Sequence, residues 1–531
     1  MRFFNTAGPI KPDIHYYVPP LERIDFDEVM LLIEQERYFV MHAPRQTGKT
    51  SALLALMGEL NGIGRYRCLY INVETAQPAR EDVEAAMRPI LSQMAREAEY
   101  ILGDRTVKEV WRNTLEEVGP HDALHEVLTL WASADDRPLV LLIDEIDALI
   151  GDSLLSVLRQ LRAGYPQRPQ RFPQSVILCG VRDVRDYRIQ STSENASIAG
   201  GSAFNIRAES LRLGDFTADD VQELLAQHTE ETGQVFAENA QSKIWELTQG
   251  QPWLVNALAY EACFRNKAGR DRSQSVTANA ICDAREQLIL RRETHLDQLT
   301  DKLQEERVRR VIEPLLSGAE SDEAIPQDDL EYVRDLGLVR RQSPIAIANP
   351  IYQEVIPRDL TYTTQEYLVQ DPAWYVDADG SLRLADLLTA FQTFFREHSE
   401  HWVERFQYKE AGPQLLLQAF LQRIVNSGGR IEREYGLGRM RTDLLILWPA
   451  PEDTRPIQTV QRVVIECKLL YKSLDQTVRE GLEQTRAYMD RCAAEEGHLV
   501  VFDRTTGKAW DDKIFRREEG IEDAKITVWG M

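Results

Sequence analysis

The sequence predicts a multidomain α/β protein, and three observations carry that prediction. Four short apolar runs, "YFVMH", "CLYINVE", "PLVLLID" and "QSVILCG", alternate with helix-period stretches in the N-terminal part, the pattern of a parallel, doubly wound sheet. The first run passes through a polar turn into a helix, and the third ends in two adjacent acids. Toward the other end, "RIEREYG", "RTDLLILW", "VVIECKLL" and "HLVVF" supply a second series of strands around one helix. A chain of 531 residues exceeds what one core supports and divides into about three or four domains.

Composition narrows the function classes. Hydrophobic content of 43% and charged content of 28% are those of a folded, water-soluble chain. A net charge of -23 excludes wholesale cationic coating of nucleic acid, so any DNA contact is local. The six cysteines form no C-x-x-C pair, which fits a reducing compartment and gives neither a zinc knuckle nor a disulfide framework. The opening "MRFFNTAGPIKPD" lacks a basic-then-apolar leader, and no apolar run reaches the roughly 18 residues of a membrane helix. The expectation is a cytoplasmic protein with no membrane partner.

The turn after "YFVMH" reads Ala43-Pro44-Arg45-Gln46-Thr47-Gly48-Lys49-Thr50-Ser51. This is a P-loop pattern with alanine where the first glycine is commoner. The spacing has a physical reason. Loop amides and the helix N-terminus surround a β-phosphate, Lys49 reaches the β/γ oxygens, and Thr50 holds Mg²⁺. The plainer alternative is a chance match in a strand-to-helix turn. In "PLVLLIDEID", Asp144 and Glu145 close a strand, as in a Walker B element: one carboxylate faces the Mg²⁺ shell and the next polarises a water at the γ-phosphate. The fourth run leads to Arg182, Arg185 and Arg188, either a solvated basic turn or a cluster near the γ-phosphate. His121/His125 and His398/His401 lack a third ligand and are expected on solvated faces.

Residues 1 to about 360 resemble the bacterial AAA-like ATP-binding domain family, within the AAA+/STAND branch of P-loop ATPases. The resemblance rests on "HYYVPPLERID", "APRQTGKTS", "LLIDEIDAL", "GVRDVRDY", "AFNIRAESLRL", "LTQGQPWLVNALA" and "LGLVRRQSPIAIANPIYQEVIPRDL". It implies a P-loop domain over 1–207, a helical lid over 208–294 with Pro252 near the nucleotide, and a winged helix over 295–360. Trp253 and Leu254 read as core residues. Within the lid, "FTADDVQELLAQHTEETG" should be a helix capped by Thr217 and ended by Gly233. Two helices and a pair of short strands are expected in the winged helix. Its candidate recognition helix, "QDDLEYVRD", holds four acids and one arginine, a sign that repels phosphate and favours a structural or partner-docking role over direct DNA contact. Residues 361–390 lose periodicity and read as a linker.

The last segment, 391–531, places an acid and a base two apart in an apolar strand, Glu466 and Lys468, with Cys467 pointing away. An α-β-β-β-α-β order, Asp443 on the preceding strand, and Gln484 with Tyr488 as a Q-x-x-x-Y element resemble the PD-(D/E)xK nuclease fold. In such a site Asp443 and Glu466 hold Mg²⁺ with the Cys467 carbonyl as a further ligand, and Lys468 orients or deprotonates the attacking water. Arg439 and Arg441 could contact phosphates, and Glu404 or Glu410 could add a carboxylate. The structural alternative is a buried Glu–Lys ion pair.

The combined expectation is an α/β multidomain protein: a P-loop parallel-sheet ATPase with helical lid and winged helix, followed by an α/β PD-(D/E)xK nuclease-like domain. ATP and Mg²⁺ are its cofactors, DNA is the partner of the C-terminal domain, and a homo-oligomer or partner protein engages the winged helix. Nucleotide state would control the nuclease, a coupling suited to genome defence or mobile-element control. The alternative is a signalling or scaffold switch whose nuclease-like domain does not cut. A ring-shaped motor would need a trans arginine finger, and the sequence identifies none.

Overall fold

The computed structural model describes the chain apart from residues 183–187, 192–195, 200–206, 292, 318–324, 361–373, 378, 404–411, 427–428, 437–440, 450–459, 471–472, 506–507 and 522–523. The chain forms two compact units, Met1–Leu288 with Asp335–Gly337, and Ile289–Arg334 with Leu338–Met531.

In the first unit, β1 (Phe3–Phe4) and β2 (His15–Tyr16) make a short parallel pair. The main sheet holds β3 (Tyr38–His42), β4 (Arg67–Asn72), β5 (Leu139–Asp144) and β6 (Ser175–Gly180). After an antiparallel pair, β7 (Arg188–Ser191) and β8 (Ala196–Ala199), the chain adds β9 (Arg207–Arg212) at the edge. The order is β4-β5-β6-β3-β9, and every pairing is parallel. Strands β3 to β6 are largely apolar on both faces because both faces are covered, whereas the edge strand β9 is polar. Tyr38, Val40, Leu141 and Leu178 pack into one core, while Phe39, Met41, Val140 and Ile177 pack into the other. β3 and β5 therefore deliver the P-loop and the acidic pair to the same, carboxyl, edge of the sheet, where doubly wound sheets bind ligands.

Local signals set the helix ends. Thr217 and Asp220 form a capping box on the helix Ala218–Thr232, and Gly233, at φ 77°, stops it in the left-handed region, as the sequence predicts. His121, expected on a helix, lies in the turn ahead of the helix Ala123–Ala132. His125 is on that helix but is half-buried against Phe172, ring centroids 5.5 Å apart, rather than on a solvated face. The side chains of His398 and His401 lie outside the described residues.

The second unit begins with helices Thr294–Leu303, Glu306–Ser317, Gln327–Asp335 and Pro350–Leu360, and a single antiparallel bridge joins Val339 to Ile347. Among the described residues, four helices thus stand where two are expected. Of the stretch 361–390, the described part is folded. Val376 bridges Leu382, Tyr375 is buried beside Trp448, and a helix starts at Leu384. Beyond it come the helix Gly412–Asn426 and strands β10 (Arg430–Gly436), β11 (Arg441–Pro449) and β12 (Val460–Leu469). The helix Leu474–Cys492 follows, then β13 (Glu496–Phe502), β14 (Phe515–Ile521) and β15 (Ala524–Gly530). The sheet order is β10-β11-β12-β13-β15-β14, antiparallel from β10 to β12, parallel from β12 through β13 to β15, and closed by antiparallel β14. The expected α-β-β-β-α-β order is present, and β14 and β15 extend it.

Candidate functional site

At the end of β3, the P-loop is shaped by two left-handed residues, Gln46 at φ 57° and Gly48 at φ 93°. A Cβ on Gly48 would lie 2.8 Å from the Arg23 Nη1 and would displace that side chain's tip, and the positive φ is what favours glycine there. The helix Lys49–Ile63 starts at the next residue. The Lys49 Nζ is buried and donates to the carbonyls of Ala43 (3.0 Å) and Pro44 (3.1 Å), while the Thr47 hydroxyl donates to the Pro44 carbonyl at 2.7 Å. The lysine therefore folds back along its own loop, in reach of the space the loop amides enclose. Ser51, on the helix, accepts from the Ile10 amide at 3.0 Å. Arg45 is exposed.

Asp144, fully buried at the end of β5, takes two hydroxyls on one oxygen: Thr50 Oγ1 at 2.8 Å and Tyr70 Oη at 3.0 Å. A buried carboxylate beside the helix-N-terminal threonine is an all-oxygen donor set suited to a hard cation such as Mg²⁺. Tyr70 escapes a motif reading. Its signal is a phenol inside an apolar strand whose Asn72 registers with Asp144. Burial, reinforced by the Asp144 charge, pushes the Tyr70 hydroxyl up, so it remains a donor. The same two causes push up the neighbouring Cys179 thiol. Glu145 leaves the strand at φ 56°, and its amide returns to Asp144 Oδ1 at 2.9 Å. A glutamate in the left-handed region is uncommon and costs on the order of 1 kcal/mol. Burial raises the Glu145 carboxyl; Lys49 and Arg45 oppose the rise, and Asp147 and Asp144 add to it. Asp147, two residues on, accepts the Val181 amide at 3.3 Å and so ties the acidic turn to the end of β6. Of the arginine cluster, Arg182 is half-buried, Arg185 lies outside the described residues, and Arg188 is in β7 with its side chain likewise outside.

A second cluster lies on the C-terminal sheet. β11 and β12 pair so that Asp443 is the register partner of Glu466, and Thr442 that of Cys467. Cross-strand partners of this kind have Cβ atoms about 5 Å apart; the Asp443 side chain itself lies outside the described residues. Glu466 is fully buried, and Lys468, 4% exposed, pairs with its Oε1 at 2.8 Å. The Lys468 ammonium also donates to the Gln484 side-chain carbonyl. That reach depends on a close approach. A Cβ on Gly481 would lie 2.6 Å from Leu499 Cδ1, so glycine lets the helix Leu474–Cys492 settle onto β13. Tyr488 packs into the apolar cluster with Val464, Leu499 and Val501, and the Arg491 guanidinium covers its ring at 4.7 Å. Burial pushes the Cys467 thiol up. Among the described residues, no three His, Cys, Asp or Glu side chains are grouped to hold a metal. Arg439, Glu404 and Glu410 lie outside the described residues, as does the Arg441 side chain.

A family model described as an AAA-like domain matches residues 6–354. The chain belongs to the AAA-like domain family. No curated protein matches it. Among solved structures it is similar to the Walker-type ATPase PABY2304 of Pyrococcus abyssi, at 14% identity and TM-score 0.46, over 66% of this chain and 99% of that one. It is also similar to Cdc6p of Pyrobaculum aerophilum, at 13% identity and TM-score 0.38, over 69% and 98%. The RuvB Holliday junction branch migration motor of Thermotoga maritima is similar at 13% identity and TM-score 0.33, over 66% and 97%. The AAA-like match takes in the P-loop, Asp144 and Glu145, and Pro252, which is buried as the first residue of the helix Pro252–Tyr260. The sheet bearing Glu466 lies beyond the AAA-like match.

Proposed function

We propose that the AAA-like domain binds and hydrolyses ATP with Mg²⁺, and that its nucleotide state controls a C-terminal, Mg²⁺-dependent DNA nuclease. In the first site, Lys49 exchanges its loop carbonyls for β/γ-phosphate oxygens, with residues Ala43 to Ser51 forming the cradle and Pro252 bordering it from the lid. Thr50 and Asp144 hold the metal, and Glu145, kept largely from water, accepts the proton of the attacking water. Bound Mg²⁺ supplies charge neutralisation at the phosphates.

In the second site, Asp443 and Glu466 with the Cys467 carbonyl hold Mg²⁺, Lys468 orients the water, and Gln484 fixes Lys468. Arg439 and Arg441 serve the DNA backbone. The observation that carries this reading is the Asp443–Glu466 register with Lys468 held between Glu466 and Gln484. Genome defence or mobile-element control is the setting such a coupling suits.

The test incubates the full chain with supercoiled, linear and single-stranded DNA and with RNA, with and without ATP and Mg²⁺. Cleavage of DNA that requires Mg²⁺, changes with ATP and disappears in Asp443→Ala while ATP hydrolysis continues is the expected result. A folded protein that cuts nothing under any condition selects the second reading, a nucleotide-dependent switch with a non-cleaving domain. The complete burial of Glu466 in an ion pair favours that reading, because a structural strand uses the same pair.

A further inference from the structure

Arg23 belongs to no phosphate-binding motif, yet its side chain reaches the P-loop from behind. Its Nη1 donates to the Thr47 carbonyl at 2.7 Å, and its Nη2 donates to the Gly214 carbonyl at 2.5 Å. The guanidinium carbon stands 4.8 Å from the centre of the Phe216 ring. Gly214 and Phe216 lie just past β9, where the chain leaves the sheet for the capped helix Ala218–Thr232. Phe216 in turn donates its amide to the Gly250 carbonyl at 2.8 Å, and a Cβ on Gly250 would lie 2.0 Å from the Phe216 carbonyl oxygen. The turn 249–252 that starts the helix Pro252–Tyr260 is thereby pressed against Phe216. One planar fork thus joins the loop at Thr47–Gly48 to the junction that leads into the helix Ala218–Thr232 and abuts the start of the helix Pro252–Tyr260.

The residue type fits the task. Arginine offers parallel N–H donors in a rigid plane and stacks on aromatic faces, whereas lysine offers a point charge. Burial draws the guanidinium down to about 10, so it is still cationic at neutral pH. A cation bonded to a carbonyl is a stronger tie than a neutral donor, and this one sits directly behind the loop amides that face phosphate.

We infer that Arg23 is a positioning residue that clasps the phosphate loop to the root of the lid, so that occupancy of the loop and placement of the lid are coupled through it. The inference rests on the ATP-binding reading for its coupling, but the clasp itself is a property of the free protein. Loss of the fork frees the Thr47 carbonyl and the Gly214 turn separately, and the loop then closes on phosphate without drawing the lid with it.

The test compares wild type, Arg23→Met and Arg23→Lys as full chains, by amide hydrogen exchange, ATP calorimetry with Mg²⁺ and thermal melting. In the free protein, Arg23→Met raises exchange at both the P-loop amides and the Leu213 and Phe216 amides, with the overall melting temperature within a few degrees of wild type. ATP binding weakens by about tenfold, the scale of one lost charge-assisted bond. ATP no longer protects Phe216 or Val255 amides in Arg23→Met, and Arg23→Lys, which can reach one carbonyl at a time, falls between. Unchanged exchange at both segments in free Arg23→Met overturns the clasp. ATP-induced lid protection equal to wild type overturns the coupling. Wild type that binds no ATP removes the nucleotide reading instead, and the free-protein exchange still decides whether the clasp exists.

Discussion

Truncating Lys468 to alanine is the sharpest probe of the C-terminal pair. Glu466 is fully buried, its ammonium partner is 2.8 Å away, and the next residue on that face of the strand, Val464, is in the apolar cluster beneath the helix Leu474–Cys492. Removing the lysine takes an ammonium away from a fully buried acid, which costs about 3–5 kcal/mol. For a unit of this size each kcal/mol moves the melting temperature by about 2–4 °C, so the expected fall is about 6–20 °C. Adding Glu466→Gln to Lys468→Ala removes the second charge and recovers most of that loss, because the two residues are in contact and their effects do not add. Excess Mg²⁺ restores part of the loss in Lys468→Ala alone if Asp443 and Glu466 share a cation, since a ligand of the native state stabilises it by mass action. The assay is thermal melting of all three proteins in EDTA and in Mg²⁺. A Lys468→Ala protein that melts within about 2 °C of wild type in EDTA, or a double variant no more stable than the single one, refutes the buried-charge argument. Identical curves in EDTA and Mg²⁺ refute the shared cation.

Lys49→Ala removes the cation assigned to the β/γ-phosphates and should weaken ATP binding by about tenfold or more, read by calorimetry. Glu145→Gln keeps the shape and loses the charge, so ATP still binds while turnover falls by roughly 10²-fold. Because burial raises the Glu145 carboxyl, that group takes up its proton at a higher pH than an ordinary glutamate, and a pH–rate profile should lose ATP turnover earlier on acidification than surface carboxylates would cause. His295 is buried, bonded to the Tyr352 hydroxyl at 2.7 Å, and drawn by burial from 6.5 to about 4. The unfolded chain then binds the extra proton, so its contribution of about 3 kcal/mol is complete above 6.5 and is lost as pH falls toward 4; His295→Gln should flatten that acid slope in denaturant titrations.

The parts of this protein that are legible in its sequence are those written locally. "APRQTGKTS", the run ending in Asp144–Glu145, and the cap at Thr217 each specify a few consecutive residues, and the structure holds them as expected. What a motif cannot show is which distant residue completes a site. Tyr70 reaches Asp144 from the neighbouring strand, and Arg23 reaches Thr47 across 24 positions of chain. β14 and β15 also escape a periodicity reading: β14 alternates between half-buried and exposed positions, as an edge strand does, and leaves no apolar run to find.

Charge counting in "QDDLEYVRD" shows the same limit from the other side. Four acids and one arginine read as a face that repels phosphate, but the acids are not all surface charge. Asp329 is buried and accepts from Arg307 at 3.2 Å and from Arg310 at 3.0 Å, both on the helix Glu306–Ser317. Glu331 pairs with Arg334 at 2.7 Å. The repulsion is therefore smaller than the count implies, since paired charges nearly cancel at a distance beyond the roughly 8 Å screening length of physiological salt. The expectation that this helix does not contact DNA has a second argument behind it. A recognition helix must offer donors to phosphate or bases, and the single arginine of this helix already bonds a glutamate of the same helix. Binding DNA here would have to break that pair and desolvate the acid it leaves, whereas a partner protein could meet the helix without disturbing either. Arg334→Ala should accordingly leave any DNA affinity of the full chain unchanged in salt-dependent binding titrations; a drop in affinity together with a shallower salt dependence would put this helix on the phosphate backbone and overturn the argument.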